Sequence, residues 1–328
     1  MVSPILLNLI DRMKLQSRYI LLLPLVILFA CSKNTDIFTP ENSEQDYNGN
    51  INNFYHLVRK NIPAEEFIIN SSVENVITSH TGVRFIIPTN AFSDSLQNNI
   101  NGEIRIKIIQ LSTKSDFIRY AQFSNNSNLL LDWYKNINIE AYQNGKKLSL
   151  LEGKSISIQI PSTSPSPNWK IFNGVYLSTR KFKIAPSVFS QIKSAVWKDG
   201  GSGSIVEGIE FNSNLLNWIC IASPVGDVLF TAVNVKLPVT FRSFNTMVVA
   251  VNKSNKVIYG FEDTMELQSL FSQKIHDLND LTFFVAADYN NNVFIAEKFF
   301  ESININQEVN LTPLKVTLED LEKSLNKL

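Results

Sequence analysis

Polar and apolar residues alternate with period two in Glu103-Ile-Arg-Ile-Lys-Ile108, which puts Ile104, Ile106 and Ile108 on one face and three charges on the other. That is the pattern of a strand half buried in a sheet. Asn136-Ile-Asn-Ile-Glu-Ala141 and Ser155-Ile-Ser-Ile-Gln-Ile160 repeat it. Turn signals lie between these runs at Thr81-Gly82, Asn98-Asn-Ile-Asn-Gly102 and Asn144-Gly145, the last joining two short extended runs as a tight hairpin would. No sustained helical period interrupts the region. It predicts an antiparallel sandwich of about 100 residues over 63–162.

Pro161-Ser-Thr-Ser-Pro-Ser-Pro167 changes the pattern, because its prolines withhold the backbone donors that a sheet interior needs. It is the expected domain boundary. Beyond it, Leu229–Leu237, Thr246–Val251 and Leu281–Ala287 are β-branched and aromatic runs of strand length. Thr264 to Ile275 is expected to supply one short helix. Thr317-Leu-Glu-Asp320 resembles a capping box that starts a terminal helix with Leu318, Leu321 and Leu325 on one face. The fold class is therefore mainly β, with two antiparallel β-sandwich-like domains, 63–162 and 168–328, and a short C-terminal helix.

The N-terminal pattern differs. The apolar run Ile20–Ala30 follows the basic segment Met13-Lys-Leu-Gln-Ser-Arg18 and is shorter than the roughly 20 residues that span a bilayer. It reads as a secretory signal, with Met1 to Arg12 either a long leader segment or upstream of the true start at Met13. Its end, Leu28-Phe-Ala-Cys31, resembles the lipobox of bacterial lipoproteins, in which the cysteine is diacylglycerated and becomes the new N-terminus. Phe29 is bulkier than the usual occupant of its place. The resemblance implies that residues 1–30 are removed and that the chain is held in the outer membrane by lipid on Cys31. Ser32 follows where an aspartate would retain such a protein at the inner membrane. Asp36 is the one acid close behind Cys31, so the facing leaflet stays open. Residues 31–62 then form a tether. Its first part is polar and broken by Pro40 and Gly49, too poor in apolar surface to offset ordering entropy. Phe54-Tyr-His-Leu-Val58 is either one amphipathic turn packed on the first domain or more spacer.

Charge excludes one class of partner. Loss of residues 1–30 removes Arg12, Lys14, Arg18 and Asp11, leaving 27 basic and 29 acidic side chains and a net charge of −2. Nothing in this balance attracts nucleic acid. Cys220 is the second and last cysteine, so no intrachain disulfide forms once Cys31 is lipidated.

Thr81-Gly-Val-Arg-Phe-Ile-Ile-Pro-Thr-Asn-Ala-Phe92 and Asn101-Gly-Glu-Ile-Arg-Ile106 resemble the core of a β-sandwich module of ankyrins and netrin receptors. Together with Thr113-Lys-Ser-Asp116, Leu129-Leu-Leu131, Ile139-Glu-Ala-Tyr-Gln-Asn-Gly-Lys146 and Ile158-Gln-Ile-Pro161, they resemble a family of uncharacterised Bacteroidetes lipoproteins. The likeness covers about 65–162 and thins to Leu216-Asn-Trp-Ile-Cys220. It implies a binding or scaffolding module in the cell envelope and brings no catalytic residue.

Candidate chemistry is sparse. His56, His80 and His276 are scattered without metal-ligand spacing, so no metal site is assigned. Ser-x-x-Lys at Ser178, Ser190 and Ser324 lacks its partner elements. Asp288-Tyr-Asn-Asn-Asn292 opens like a calcium loop, but Val293 and Phe299 replace the glycine and the bidentate glutamate, so a hairpin turn is expected. Gly200-Gly-Ser-Gly-Ser204 opens no helix and reads as a loop. Cys220, in Trp-Ile-Cys-Ile-Ala, reads as a small hydrophobe. No catalytic residue and no cofactor is assigned, and the chain is read as a non-enzyme. Trp133, Tyr134, Trp169 and Trp197 neighbour turn-like or polar residues and form the candidate binding surface, for a partner protein or a flat sugar face, against core packing as the competing reading. The expected role is non-catalytic binding or structure in the envelope, with an accessory carbohydrate-binding role as the alternative and a hydrolase behind it.

The lipobox resemblance gives the first prediction. Cys31→Ala should leave an uncleaved precursor that takes up no labelled fatty acid in growing cells. Incorporation at the wild-type level would remove the anchor.

Overall fold

The structure is a computed structural model that describes residues 49–125, 129–187, 191–198, 200–201, 203–226, 230–265, 269–304 and 307–328. The signal segment, Cys31 and the first part of the expected tether lie outside the described residues, as does Ser190. Strand makes up 52% and helix 10% of the described residues, so the cores are built from sheet faces, with helices as covers.

Four main sheets form two sandwich-like pairs. In the first pair, the outer sheet runs Lys193–Lys198, Ile205–Ser213, Ile156–Pro161, Arg84–Ile87, Asn75–Thr78. The inner sheet runs Glu65–Asn70, Glu103–Leu111, Leu131–Gln143, Trp218–Pro224, Lys170–Ser178, Lys181–Pro186, with Lys146–Lys147 added beside Leu131–Gln143. Strands from both sides of Pro161–Pro167 thus share both sheets. The expected domain boundary is an inter-strand crossing, since Ile205–Ser213 pairs with Ile156–Pro161 and Trp218–Pro224 with Leu131–Gln143. Between the two sheets, Ile104, Ile106, Ile108, Ile137, Ile139, Ile158 and Phe211 form the first core. The alternating isoleucines read from the sequence supply much of it.

The second pair has an inner sheet, Ile258–Gly260, Thr246–Asn252, Asn279–Tyr289, Asn292–Ser302, Leu314–Val316, and an outer sheet, Glu262–Met265, Leu270–Ile275, Thr231–Lys236, Glu308–Asn310. Its core holds Val233, Val248, Phe271, Phe283 and Val285. The region expected to form a short helix is instead two paired strands, Glu262–Met265 and Leu270–Ile275. Phe271 and Ile275, both buried, are four residues apart, and that spacing returns to one face in a strand as well as in a helix. The Asp288–Asn292 turn is the hairpin expected, with Asn290 and Asn291 both left-handed as a type I′ turn requires.

Both inner sheets are apolar on their second face too. Thr246–Asn252 is buried at every position, which sends Met247, Val249 and Val251 one way and Val248 and Ala250 the other. The two second faces meet in a middle core with Trp133, Phe172, Phe182, Cys220 and Phe284, closed by three helices. Helix α1, Ile51–Arg59, lies within the expected tether and buries Phe54, Tyr55 and Val58 there, which is the amphipathic alternative. Helix α2, Lys114–Arg119, begins at a capping box of Thr113 and Asp116, and helix α3, Leu318–Lys327, at one of Thr317 and Asp320. Leu321 and Leu325 are buried as expected, whereas Leu318 is exposed.

Two arginines bind these helices. Arg119, 3% exposed at its side chain, pairs with Glu322 Oε2 at 2.6 Å and donates to Val58 O, Ser115 Oγ and Asn326 Oδ1, so one guanidinium touches all three helices. Arg59 donates to Arg119 O, Tyr120 O and Thr179 O, and its guanidinium lies over the rings of Tyr55, Tyr120 and Tyr176. The seam between the sandwiches is also hydrogen-bonded. Ser124 N donates to Ile258 O at 2.7 Å, and Asn125 exchanges bonds with the backbone of Gly260, which covers the edge strand Ile258–Gly260. Phe123 lies flat on Gly260, where a Cβ would stand 2.2 Å from the ring. Lys256 Nζ donates to Ser112 O and Tyr134 O, and Lys114 Nζ to Asn252 O and Lys253 O.

Removing the Arg119 guanidinium would leave the Glu322 carboxylate largely buried and unpaired. Arg119→Ala should therefore cost about 3 kcal/mol in urea unfolding and raise amide exchange in α3 before exchange in Glu103–Leu111. Unchanged exchange in α3 would contradict the clamp.

Candidate functional site

The crossing from the outer to the inner sheet of the first pair, residues 162–169, builds an open concave surface. Pro165 and Pro167 carry no N–H, so the crossing cannot join the ladder as a strand and is fixed by few bonds. Ser162 N donates to Glu207 O, Asn168 N to Ser166 Oγ and Trp169 N to Ser166 O. The turn at Ser166 delivers the Trp169 ring onto Tyr134, with centroids 3.8 Å apart and planes 24° apart. Tyr134 Oη in turn donates to Pro161 O.

A bulge makes Tyr134 available. Opposite Leu131–Gln143, Ile221 pairs with Lys135 and Ala222 with Trp133, so Tyr134 has no partner and is the extra residue. The slip exchanges the faces of the strand. Leu131 and Trp133 point into the middle core, whereas Ile137, Ile139 and Ala141, of the same sequence parity, point into the first core. Lys256 Nζ bonds the Tyr134 carbonyl and lies 5.9 Å from its ring centroid, which steadies the bulge from the second sandwich. Burial lowers the affinity of the Lys256 ammonium for its proton, which Asp132 and Asp116 partly restore.

Trp169 stands between two grooves. The first, about 830 Å3, is lined by Tyr134, Ser162, Thr163, Ser164, Val206 and Glu207, among others. The second, about 730 Å3, includes Ser166, Lys170, Gln191, Ile192 and Ser194. A smaller cavity of about 360 Å3 lies in the seam beside Tyr55, Phe123, Arg180, Met247 and Glu262, where Arg180 Nη1 donates to Ser243 O. Its walls are largely the packing surfaces of the two sandwiches.

Of the four aromatic candidates, the structure brings Tyr134 and Trp169 together and separates the others from them. Trp133 is buried in the middle core and stacks on Phe117 of α2 at 5.7 Å. Trp197 is a strand residue whose ring lies on Gly208, where a Cβ would come within 2.7 Å of it. Both sit in strands, not in loops. The hydroxyl-bearing walls at 162–166 and 194, with Gln191, were not singled out by the sequence. The available signal was the Ser-Thr-Ser-Pro-Ser-Pro run, which reads equally as a linker.

The remaining sequence candidates stay apart. His80 is exposed and pairs with Glu65 at 2.8 Å, His56 is exposed on α1, and His276 lies edge-on to Phe230. Among the described residues, no three His, Cys, Asp or Glu side chains converge as metal ligands do. Cys220 is fully buried, and burial pushes its thiol well above the usual range, so it packs as an apolar group. No family model matches the chain, and comparison with curated proteins and with solved structures finds no match either.

The different settings of the tryptophans are measurable. Trp133→Ala should cost about 3–5 kcal/mol in chemical denaturation, whereas Trp169→Ala should cost about 1 kcal/mol, close to the value of one aromatic pair. Equal losses would show that Trp169 is a core residue.

Proposed function

We propose that this protein is an outer-membrane lipoprotein, tethered through Cys31, whose paired sandwiches carry a non-catalytic binding site at Tyr134 and Trp169. The anchor rests on the lipobox resemblance. A diacylglyceryl group buries many methylenes, each contributing about 0.8 kcal/mol, and two chains suffice for stable attachment. The observation that carries the binding reading is the Tyr134–Trp169 stack standing between two open grooves. An indole held against a second ring has already lost its rotamer freedom, so a ligand that packs on it need not offset that ordering.

The frame suits this role. Arg119 and Arg59 hold the helices, and Lys256 ties the bulge to the second sandwich, so the site is carried on a braced scaffold. Open grooves with a fixed aromatic and a few polar groups are the common anatomy of binding sites.

The mature protein in detergent, immobilised and exposed to solubilised cell envelopes, should retain envelope material, and Trp169→Ala should lose most of it while keeping its far-UV dichroism and losing no more than about 1 kcal/mol of stability. Equal retention by both proteins would exclude this surface as the binding site.

A further inference from the structure

We infer that the two grooves and Trp169 take one continuous ligand, a neutral linear oligosaccharide, with one sugar ring stacked on the indole and its neighbours lying in the grooves on either side. The inference rests on the reading that Tyr134 and Trp169 form the binding site, and it names the chemistry that site selects.

Three features point to a sugar. The first is the ring. A pyranose presents a flat face of C–H bonds, which carry partial positive charge and pack on the electron-rich face of an indole. Trp169 is held at 3.8 Å on Tyr134, so its orientation is set before any ligand arrives. The second is the lining. Ser162, Thr163 and Ser164 on one side, and Ser166, Gln191 and Ser194 on the other, are neutral groups. A hydroxyl both donates and accepts, and so does a primary amide, which suits a ligand whose own hydroxyls do both. The prolines of the crossing have carbonyls but no N–H, so the backbone there offers few of the donors at fixed spacing that an extended peptide would need. The third is charge. Glu207 lines one groove and Lys170 the other, so the two sides offer no common sign to a polyanion or a polycation.

The dimensions agree. Each groove, at about 830 and 730 Å3, lies within the roughly 300–1,000 Å3 of ordinary ligand sites. Trp169 lines both. A ligand that reaches from one to the other must cross the indole, which a chain of linked rings does and a single small molecule does not. Trp133 and Trp197 take no part, because their rings are covered.

The test titrates the mature protein with neutral hexasaccharides of glucose, xylose, mannose and N-acetylglucosamine, following tryptophan fluorescence and calorimetric heat. A galacturonate hexamer and a proline-rich peptide serve as the other arms. At least one neutral hexasaccharide should bind saturably and more tightly than its disaccharide. Trp169→Ala should weaken it by about tenfold, and Trp169→Phe should recover most of the loss. Ser164→Leu and Ser194→Leu, on exposed walls away from the cores, should each weaken the hexasaccharide more than the disaccharide, which keeps the test decisive should Trp169→Ala unfold. Saturation by the galacturonate hexamer or the peptide alone would overturn the inference, as would binding indifferent to both groove variants. If no neutral hexasaccharide binds while Trp169-dependent retention of envelope material persists, the ligand class is wrong and the binding site stands. Loss of both removes the site as well.

Discussion

Each inner sheet has two apolar faces, and the need to cover the second face governs the rest of the molecule. One sandwich alone would leave Trp133, Phe172 and Phe182, or Met247, Val249 and Phe284, in water. At roughly 25 cal/mol per Å2 of apolar surface, a face of that composition is a large penalty for a single domain. The two faces are therefore buried against each other. Two twisted sheets leave gaps when they stack, and α1, α2 and α3 fill them. Helices bring free backbone ends into an apolar layer, which explains the polar residues found there. Arg119 satisfies Val58 O, Asn326 and Glu322, while Arg59 takes Arg119 O, Tyr120 O and Thr179 O.

The same constraint shapes the site. Toward its end, Leu131–Gln143 must give residues to the first core, and near its start to the middle core, with one continuous backbone. Period two cannot supply both from odd-numbered residues unless the phase slips, and the bulge at Tyr134 is that slip. The bulged Tyr134 has no ladder partner on Trp218–Pro224, and its ring packs at the margin of the first core, where Trp169 packs as well. Here it becomes the rest on which Trp169 lies. A feature required for burial thus supplies the ordered half of an aromatic platform.

Much of the fold was legible where alternation is uninterrupted. Glu103–Ile108 and Ser155–Ile160 gave their buried faces directly, and Thr317 with Asp320 gave the terminal helix, because such signals are local. The domain boundary was not, since prolines mark any segment that leaves a ladder and do not distinguish a linker from a crossing within one sandwich. Helix α2 was missed although Thr113 and Asp116 form the same box as Thr317 and Asp320. With six residues it has no period to detect, and the tertiary contacts of Arg119 hold it. The site was half legible. Aromatic residues beside polar ones drew attention to all four rings, yet only pairing across the sheet decides that Trp133 faces the middle core and Trp197 covers Gly208.

The groups whose titration burial displaces furthest, Tyr55, Tyr176 and Cys220, all sit in or against the middle core. Displaced pKa values often mark active sites, but the inference needs access for a reactant as well as the shift. Here the cause in each case is first of all desolvation by packing, and the neighbours are other core residues. The opposite holds at Trp169. Its grooves are open, and their walls combine Ser, Thr, Gln and Pro with Ile192, Val206, Lys170 and Glu207, groups that hold a ligand by shape, hydrogen bonds and charge. The grooves beside Trp169 are thus built from other residues than these desolvated groups, and the displaced titrations report the packing of the middle core.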